Sequence, residues 1–254
     1  MSPPDMSGKG TILGIDLGGA LQATTGFAVL GGSDRAELVA AGVLPASKSA
    51  DLAECRLIDL ITSHAPDLIA VDAPLTLPPC LTCPSSCLGP DSGRCELKSA
   101  QLVWEAGGNP VTERLCEVLL RAELGGGKPL PTMRIGQIAA RGVALARRLR
   151  ALRAERGPVG GPDLIEVYPA GSIHRLGFRA KEDSKETFRG RILEYLSSEV
   201  AGLASFERQL ADGHSFDALV AAYTAWLGPD RLEGPAESFN AATGWIWLPT
   251  GPGA

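Results

Sequence analysis

Residues 11–19 read TILGIDLGG, an apolar run interrupted by one carboxylate and closed by two glycines. The run is long enough for one buried strand. Strands rarely contain aspartate, and a buried charge without a partner is costly, so Asp16 needs an explanation. Two protein classes use such a stretch: one wraps the glycines around ATP phosphates, and the other uses the aspartate to hold a divalent metal ion. The rest of the chain has to discriminate between them.

Length and composition are those of an ordinary globular protein. The 254 residues are 44% hydrophobic and 21% charged, enough for one large domain or two small ones. No apolar run approaches the ~20 residues of a membrane span, and the N-terminus lacks the apolar core of a signal peptide. We expect a cytoplasmic protein with no membrane contact, a single domain over 1–254 and a disordered N-terminus over 1–9.

The hydrophobic pattern predicts a sheet flanked by helices. Strands are expected at 11–16, 24–30, 36–43, 67–72 and 164–168, with a late strand at 242–248. Helices are expected at 51–63, 110–123, 133–156, 184–210 and 215–227. Short turns join the first three strands, which favours antiparallel pairing, whereas the later helical crossovers demand parallel pairing. A mixed α/β sheet is therefore the economical fold.

Three predicted strands each contain a lone acid in an apolar setting: Asp16, Asp72 and Glu166. If those strands are neighbours, the carboxylates converge at one edge, and their repulsion raises their pKa values unless a cation lies between them. Asp72 precedes Ala-Pro, so a turn role is an even alternative. Asp217 opens an apolar helix, where it can cap or meet the helix dipole, with His214 near the same face. Together these oxygen ligands suit Mg²⁺ or Mn²⁺, which would support phosphodiester cleavage.

The motifs GIDLGG, TGFAVL, IAVDAPLTLP, EVYPAGS and FDALVAAYTAW resemble family 429 of the domains of unknown function, predicted nucleases with a ribonuclease H-like fold. The resemblance covers residues 11–249. It implies a five-stranded sheet in the order 3-2-1-4-5, with Asp16, Asp72, Glu166 and Asp217 as metal-binding acids and His214 beside them in catalysis. The spacing of His214 and Asp217 also resembles the last catalytic pair of Holliday-junction resolvases of the RuvC type.

Four cysteines crowd into a segment that lacks periodicity, the inserted loop at 78–110. They are Cys80, Cys83, Cys87 and Cys95. Close cysteine spacing in a cytoplasmic protein favours a metal over disulfides, and unpaired thiols are the plainer alternative. Four thiolates suit a structural Zn²⁺ ion, with a [4Fe–4S] cluster as the alternative. We therefore predict a Cys-rich metal-binding insertion within the single domain.

Arginines provide a local basic surface in a chain of net charge −5. Seven lie between Arg134 and Arg156 against one acid, which can bind a phosphate backbone or merely form a solvated helix face. Arg114 and Arg134 flank the predicted site and are candidate contacts for a substrate phosphate. DNA or RNA is the expected partner. Two alternatives stay open: an ATP-binding protein of the actin and sugar-kinase type, and a nucleic-acid-binding module that does not catalyse.

Overall fold

A seven-stranded mixed sheet lies at the centre of the computed structural model, with the strand order β6-β3-β2-β1-β4-β5-β7. The structure describes residues 10–19, 24–45, 50–83, 95, 97–125, 129–156, 163–179, 184–235, 239 and 243–251. The strands are β1 (Ile12–Asp16), β2 (Thr25–Gly31), β3 (Ala36–Leu44), β4 (Leu68–Asp72), β5 (Asp163–Val167), β6 (Val200–Ala201) and β7 (Ile246–Trp247). β2 pairs antiparallel with β1 and β3, and the other neighbours pair parallel.

The expected order 3-2-1-4-5 is confirmed for the five central strands, but the prediction of five strands in total was wrong. Two-residue strands extend the sheet at both ends: β6 pairs with β3 and β7 pairs with β5. β7 lies within the late strand predicted at 242–248, whereas β6 was not predicted, because so short a strand leaves almost no alternating pattern in a sequence. The mixed α/β architecture follows the predicted one.

Nine helices lie in the described ranges: α1 (Ala50–His64), α2 (Pro79–Thr82), α3 (Lys98–Glu105), α4 (Leu115–Leu124), α5 (Gly136–Arg156), α6 (Pro169–Arg175), α7 (Lys185–Glu199), α8 (Glu207–Leu210) and α9 (Gly213–Trp226). The single helix expected at 184–210 is divided, because the chain becomes extended at Val200 and Gly202 has a φ of +83°. The loop expected at 78–110 contains α2 and α3, while 84–94 and 96 lie outside the described residues.

Helices cover the two faces of the sheet, each over its own core. On one face α9 packs directly against β1 and β2, with Leu30, Ile165 and Leu219 in the core between them. On the other face α1 and α5 cover a second core that includes Leu13 and Leu145. Within the described part of the chain, no helix combines the length and the apolar character needed to cross a membrane.

Glycines explain how closely α9 approaches the sheet. A Cβ atom on Gly14 would lie 2.0 Å from the carbonyl oxygen of Ala218, and one on Gly26 would lie 2.1 Å from that of His214. Real Cβ atoms do not approach oxygen so closely, so these strand positions admit only glycine unless the helix moves. The glycine inside the apolar run of residues 11–19 therefore places α9, and with it the acid that α9 contains.

Candidate active site

Asp16 and Asp72 end the two central parallel strands and are register partners. Side chains alternate along a strand, so Asp16 shares the face of Gly14, which contacts α9. Asp72 likewise shares the face of Ala70, a member of the core under α9. The two carboxylates therefore lie side by side on the face that α9 covers, as the sequence predicted.

Asp217 reaches the same place from α9. The helix begins above this edge of the sheet, where Asp212 caps it by accepting hydrogen bonds from the backbone N–H groups of His214 and Ser215. Asp217 follows one turn later. Together with Asp16, Asp72 and Glu166, it lines a cavity of about 290 Å³ at the carboxyl ends of the parallel strands. Open α/β sheets generally bind ligands at this edge.

The three aspartates repel one another in a partly desolvated site. Burial raises the pKa of Asp72 well above its usual value, and Asp16, Asp217 and Glu166 raise it further. Burial, followed by the charge of Asp16, raises the pKa of Asp217 to about 6, while Arg189 opposes the shift. Carboxylates that the fold keeps close together, although their negative charges repel one another, are typical of a cation site.

His214 contacts the acidic group as predicted. Its Nδ1 atom lies 2.7 Å from Oδ2 of Asp16, and the imidazole side chain is 44% exposed whereas the aspartate side chain is 15% exposed. Burial raises the pKa of Asp16, and the hydrogen bond from His214 partly offsets that effect. The ring therefore stands at the solvent side of the site and orients one of its carboxylates.

Glu166 was expected to join the metal-binding acids, but the structure holds both of its carboxylate oxygens elsewhere. Arg114 donates from Nη2 to Oε1 at 2.6 Å and from Nη1 to Oε2 at 2.7 Å, and Leu75 N donates to Oε2 at 2.9 Å. Glu166 pairs in register with Val71, not with Asp72, so it lies on the sheet face opposite the two aspartates. Its carboxylate is thus neutralised and anchored.

The two arginines predicted to contact a substrate phosphate, Arg114 and Arg134, lie in different surroundings. Arg114 lines the cavity but is 1% exposed, and its guanidinium donates to Glu166, Glu117, Thr132 and Thr76. Arg134 is exposed in a 3-10 turn before α5 and is not among the cavity-lining residues. Arg114 thus lies at the cavity with its guanidinium already engaged, Arg134 lies outside the lining, and contact with a substrate phosphate stays a prediction for both.

Two residues near the acids escaped the sequence reasoning. Tyr168 lines the cavity directly after β5, and burial together with the charges of Asp72 and Asp217 raises its pKa to about 12. Arg189, on α7, lies over the ring of Phe216 at 5.2 Å and donates to the carbonyl of Ala211 at 2.5 Å. The sequence around Arg189 does not indicate this position, because only the packing of α7 on α9 brings the cation near Asp217.

The glycines after Asp16 are not arranged as a phosphate loop in the described part of that turn. Gly18 donates its N–H to Oγ1 of Thr25 at 3.2 Å. Arg141 binds the carbonyl oxygens of Gly18 at 2.5 Å and Gly19 at 3.1 Å. A phosphate loop presents free N–H groups to its anion. This arrangement disfavours the ATP-binding alternative and accounts for one arginine of the basic segment.

The cysteines do not form a metal site among the described residues. No group of three or more His, Cys, Asp or Glu side chains within the described ranges has a ready arrangement for a metal ion, so Cys80, Cys83 and Cys95 are not assembled. Cys95 is buried, with its Sγ 3.9 Å from the carbonyl of Leu97. Cys87 lies outside the described residues. The structure gives no support to Zn²⁺ or a [4Fe–4S] cluster, and that ligand set stays a prediction.

The four acids likewise share a cavity without forming a finished coordination sphere. The donor chemistry nevertheless fits a hard divalent cation at Asp16, Asp72 and Asp217, because carboxylate oxygens are its preferred ligands and neutralisation relieves their repulsion. Glu166 fits less well, since Arg114 already neutralises it.

A family model described as "Protein of unknown function (DUF429)" matches residues 14–239. The chain belongs to this family. The DUF429 match spans every acid of the cavity. No curated protein matches the chain.

Two solved structures show a loose structural likeness to this DUF429 protein. RuvC of Thermus thermophilus in complex with a Holliday junction substrate is 12% identical at a TM-score of 0.42, covering 84% of this chain and 90% of that chain. A second Thermus thermophilus RuvC structure is 14% identical at a TM-score of 0.39 with the same coverage. A likeness this loose supports no conclusion about what the present chain does.

Proposed function

We propose that this protein is a divalent-metal-dependent nuclease, in which Asp16, Asp72 and Asp217 hold Mg²⁺ or Mn²⁺ and DNA or RNA is the substrate. The observation that supports it most is the convergence of these three carboxylates on one cavity at the carboxyl edge of the sheet. When bound, such ions activate a water molecule and stabilise the leaving oxygen of a phosphodiester. A cytoplasmic location belongs to the same proposal.

The chain's own residues supply the remaining parts of the site. His214 fixes the carboxylate of Asp16 by its hydrogen bond at 2.7 Å. Arg189 and Lys185 place positive charge beside Asp217 and join Arg114 and Arg134 as the cations expected to attract a phosphate. Tyr168 keeps its proton at neutral pH, as a tyrosine with the ordinary pKa of about 10 also does, so its hydroxyl is available as a donor.

A screen of labelled DNA and RNA, single-stranded, duplex and branched, with Mg²⁺ or Mn²⁺ tests the proposal. We expect cleavage by the wild-type protein that is lost in Asp16→Asn and Asp217→Asn. Asp230→Asn is the matched control, because Asp230 is exposed and is not one of the residues that line the cavity. Circular dichroism checks that each variant is folded. Cleavage that persists in both site variants would reject the assignment.

The two alternatives predict different outcomes in the same proteins. An ATP-binding protein would bind ATP in a direct calorimetric titration, which we do not expect because Gly18 N–H and the Gly18 and Gly19 carbonyls are already bonded. A binding module without catalysis would show steeply salt-dependent binding of nucleic acid and no product. The exposed arginines Arg147, Arg148 and Arg150 on α5 would be its contacts.

A further inference from the structure

Most of the cavity that contains the acids is apolar. Besides the carboxylates, its lining includes Leu17, Leu130, Ile135, Ile138, Tyr168 and Ile246. A site that bound only a metal ion and a phosphate would need no such lining, since both of these groups are strongly polar. The apolar part of the cavity therefore fits a ligand that has a flat, apolar group next to its phosphate.

Part of this apolar lining is open at the mouth of the cavity. Leu130, which lines the cavity, is 36% exposed. Ala170, in the first turn of α6, lines the cavity and is also exposed. A ligand can therefore enter from solvent without displacing the cores on either face of the sheet.

Tyr168 offers an aromatic ring with a fixed position in the same cavity. A Cβ atom on Gly171 would lie 2.8 Å from Cδ1 of Tyr168, so the ring rests directly on the backbone of α6. Its hydroxyl lies in the field of Asp72 and Asp217. A ring that is held in place between an acidic site and open cavity is suited to stack on a planar base.

The size of the cavity limits the ligand. Its volume of about 290 Å³ is at the lower end of the ~300–1,000 Å³ typical of small-molecule sites. That is room for one nucleotide and not for a stacked base pair. A phosphate bound through a cation at Asp16, Asp72 and Asp217 would bring the attached nucleoside into the apolar part, because one continuous cavity joins the two.

We propose that the apolar part of this cavity is a subsite for a single nucleobase taken out of its stack, so that the substrate is an unpaired nucleotide. The inference rests on the proposed nuclease function and names its substrate class. Removing a base from a duplex costs stacking and pairing energy, which an unpaired strand does not have to supply. The protein therefore selects single strands, loops or flaps over regular duplex.

The test uses a side chain that fills the subsite and leaves the acids in place. Ala170→Trp puts a large ring at the exposed mouth of the cavity, and Ala144→Trp is the matched control on an exposed position of α5 away from the cavity lining. Cleavage positions are mapped on a labelled strand, and the strand is then made with an abasic residue at the cleaved position. Duplex and a free nucleoside monophosphate competitor form the other arms.

We expect the wild-type protein and Ala144→Trp to cleave the normal strand about tenfold faster than the abasic strand or the duplex. Ala170→Trp should lose that preference while still cleaving the abasic strand. Fluorescence of 2-aminopurine at the same position, measured with Ca²⁺ in place of Mg²⁺, should change on binding to the wild-type protein and not to Ala170→Trp. Competition by the free nucleotide would extend the substrate class to monomers.

Two outcomes distinguish the failure of the nucleobase subsite from the failure of the nuclease function. Cleavage that is equal on normal strand, abasic strand and duplex, and unaffected by Ala170→Trp, overturns the nucleobase subsite and leaves the nuclease function standing. Absence of cleavage on every substrate, together with unchanged 2-aminopurine fluorescence, overturns both.

Discussion

Arg114 binds both carboxylate oxygens of Glu166, with Nη2 2.6 Å from Oε1 and Nη1 2.7 Å from Oε2. The same guanidinium lies 2.9 Å from Oε1 of Glu117, and all three side chains are nearly fully buried. One cation thus faces two buried carboxylates. Because Arg114 caps α4 and Glu166 belongs to β5, this cluster joins the region between β4 and β5 to the sheet.

Removing the cation should be much more damaging than removing an ordinary surface arginine. Arg114→Met leaves Glu117 and Glu166 buried without their partner, so we expect the free energy of unfolding to fall by about 3–5 kcal/mol. Urea denaturation measures it. Arg148→Met is the control, because Arg148 is exposed on α5 and its replacement should change the free energy of unfolding by at most about 0.5 kcal/mol. Equal losses in the two variants would contradict the role of the buried cluster.

Mn²⁺ affinity should depend on Asp72 and not on Glu166, whose carboxylate Arg114 already binds. We expect Asp72→Asn to weaken Mn²⁺ binding at least about tenfold, because ligand removal should cost no less than loss of a supporting contact. Glu166→Gln should keep the wild-type affinity, since Arg114 and Leu75 already occupy the carboxylate. Isothermal titration calorimetry with Mn²⁺ compares the two. A loss in Glu166→Gln as large as in Asp72→Asn would restore Glu166 as a ligand.

The different outcomes for Asp72 and Glu166 show what a sequence can specify. Both acids lie in apolar runs, and the pattern alone places both near the carboxyl edge of neighbouring strands. Which face a side chain occupies depends on register, and Glu166 is opposite Val71, one residue short of Asp72. A shift of one residue moved this acid to the other face. Register of this kind comes from tertiary packing and not from the strand's own residues.

Longer elements were predictable because their patterns are strong. β1 and β4 contain continuous apolar runs, and α9 is apolar on nearly every side, so these parts of the fold and their acids follow from sequence. The sequence placed His214 near Asp217, one turn away on the same helix, but did not specify its hydrogen bond to Asp16. The position of Arg189 and the burial of Arg114 could not be predicted, because the sequence does not show whether an arginine faces solvent or a buried carboxylate.

Because the pKa of Asp217 is raised, removing its charge should stabilise the folded protein, and the gain in stability should depend on pH. Its pKa is about 6 in the folded protein, against an unfolded value of about 4. Between these values the folded state binds more protons, so stability falls as pH rises from roughly 4 to 6. Without divalent ions, Asp217→Asn should therefore be more stable than the wild-type protein by about 1–3 kcal/mol at pH 7. Below about pH 4 the two proteins should converge.

Thermal unfolding across a pH series in EDTA measures this difference. Asp230→Asn, an exposed position outside the cavity lining, is the control and should show no comparable gain. If Asp217→Asn were no more stable than Asp230→Asn at pH 7, burial and the charge of Asp16 would not destabilise the ionised Asp217 enough to favour a cation there.

Gly14 should be intolerant of even one methyl group. Gly14→Ala places Cβ 2.0 Å from the carbonyl oxygen of Ala218 and 2.7 Å from the backbone nitrogen of Ala222, so α9 must move away from β1. We expect a loss of about 3 kcal/mol in the free energy of unfolding and, because α9 contains Asp217, weaker Mn²⁺ binding in the protein that remains folded. Gly190→Ala is the matched control on α7, where nothing lies within 4 Å of the added methyl group. That substitution should stabilise the helix by about 0.5–1 kcal/mol. A Gly14→Ala protein with wild-type stability and metal affinity would show that α9 does not depend on this close approach to the sheet.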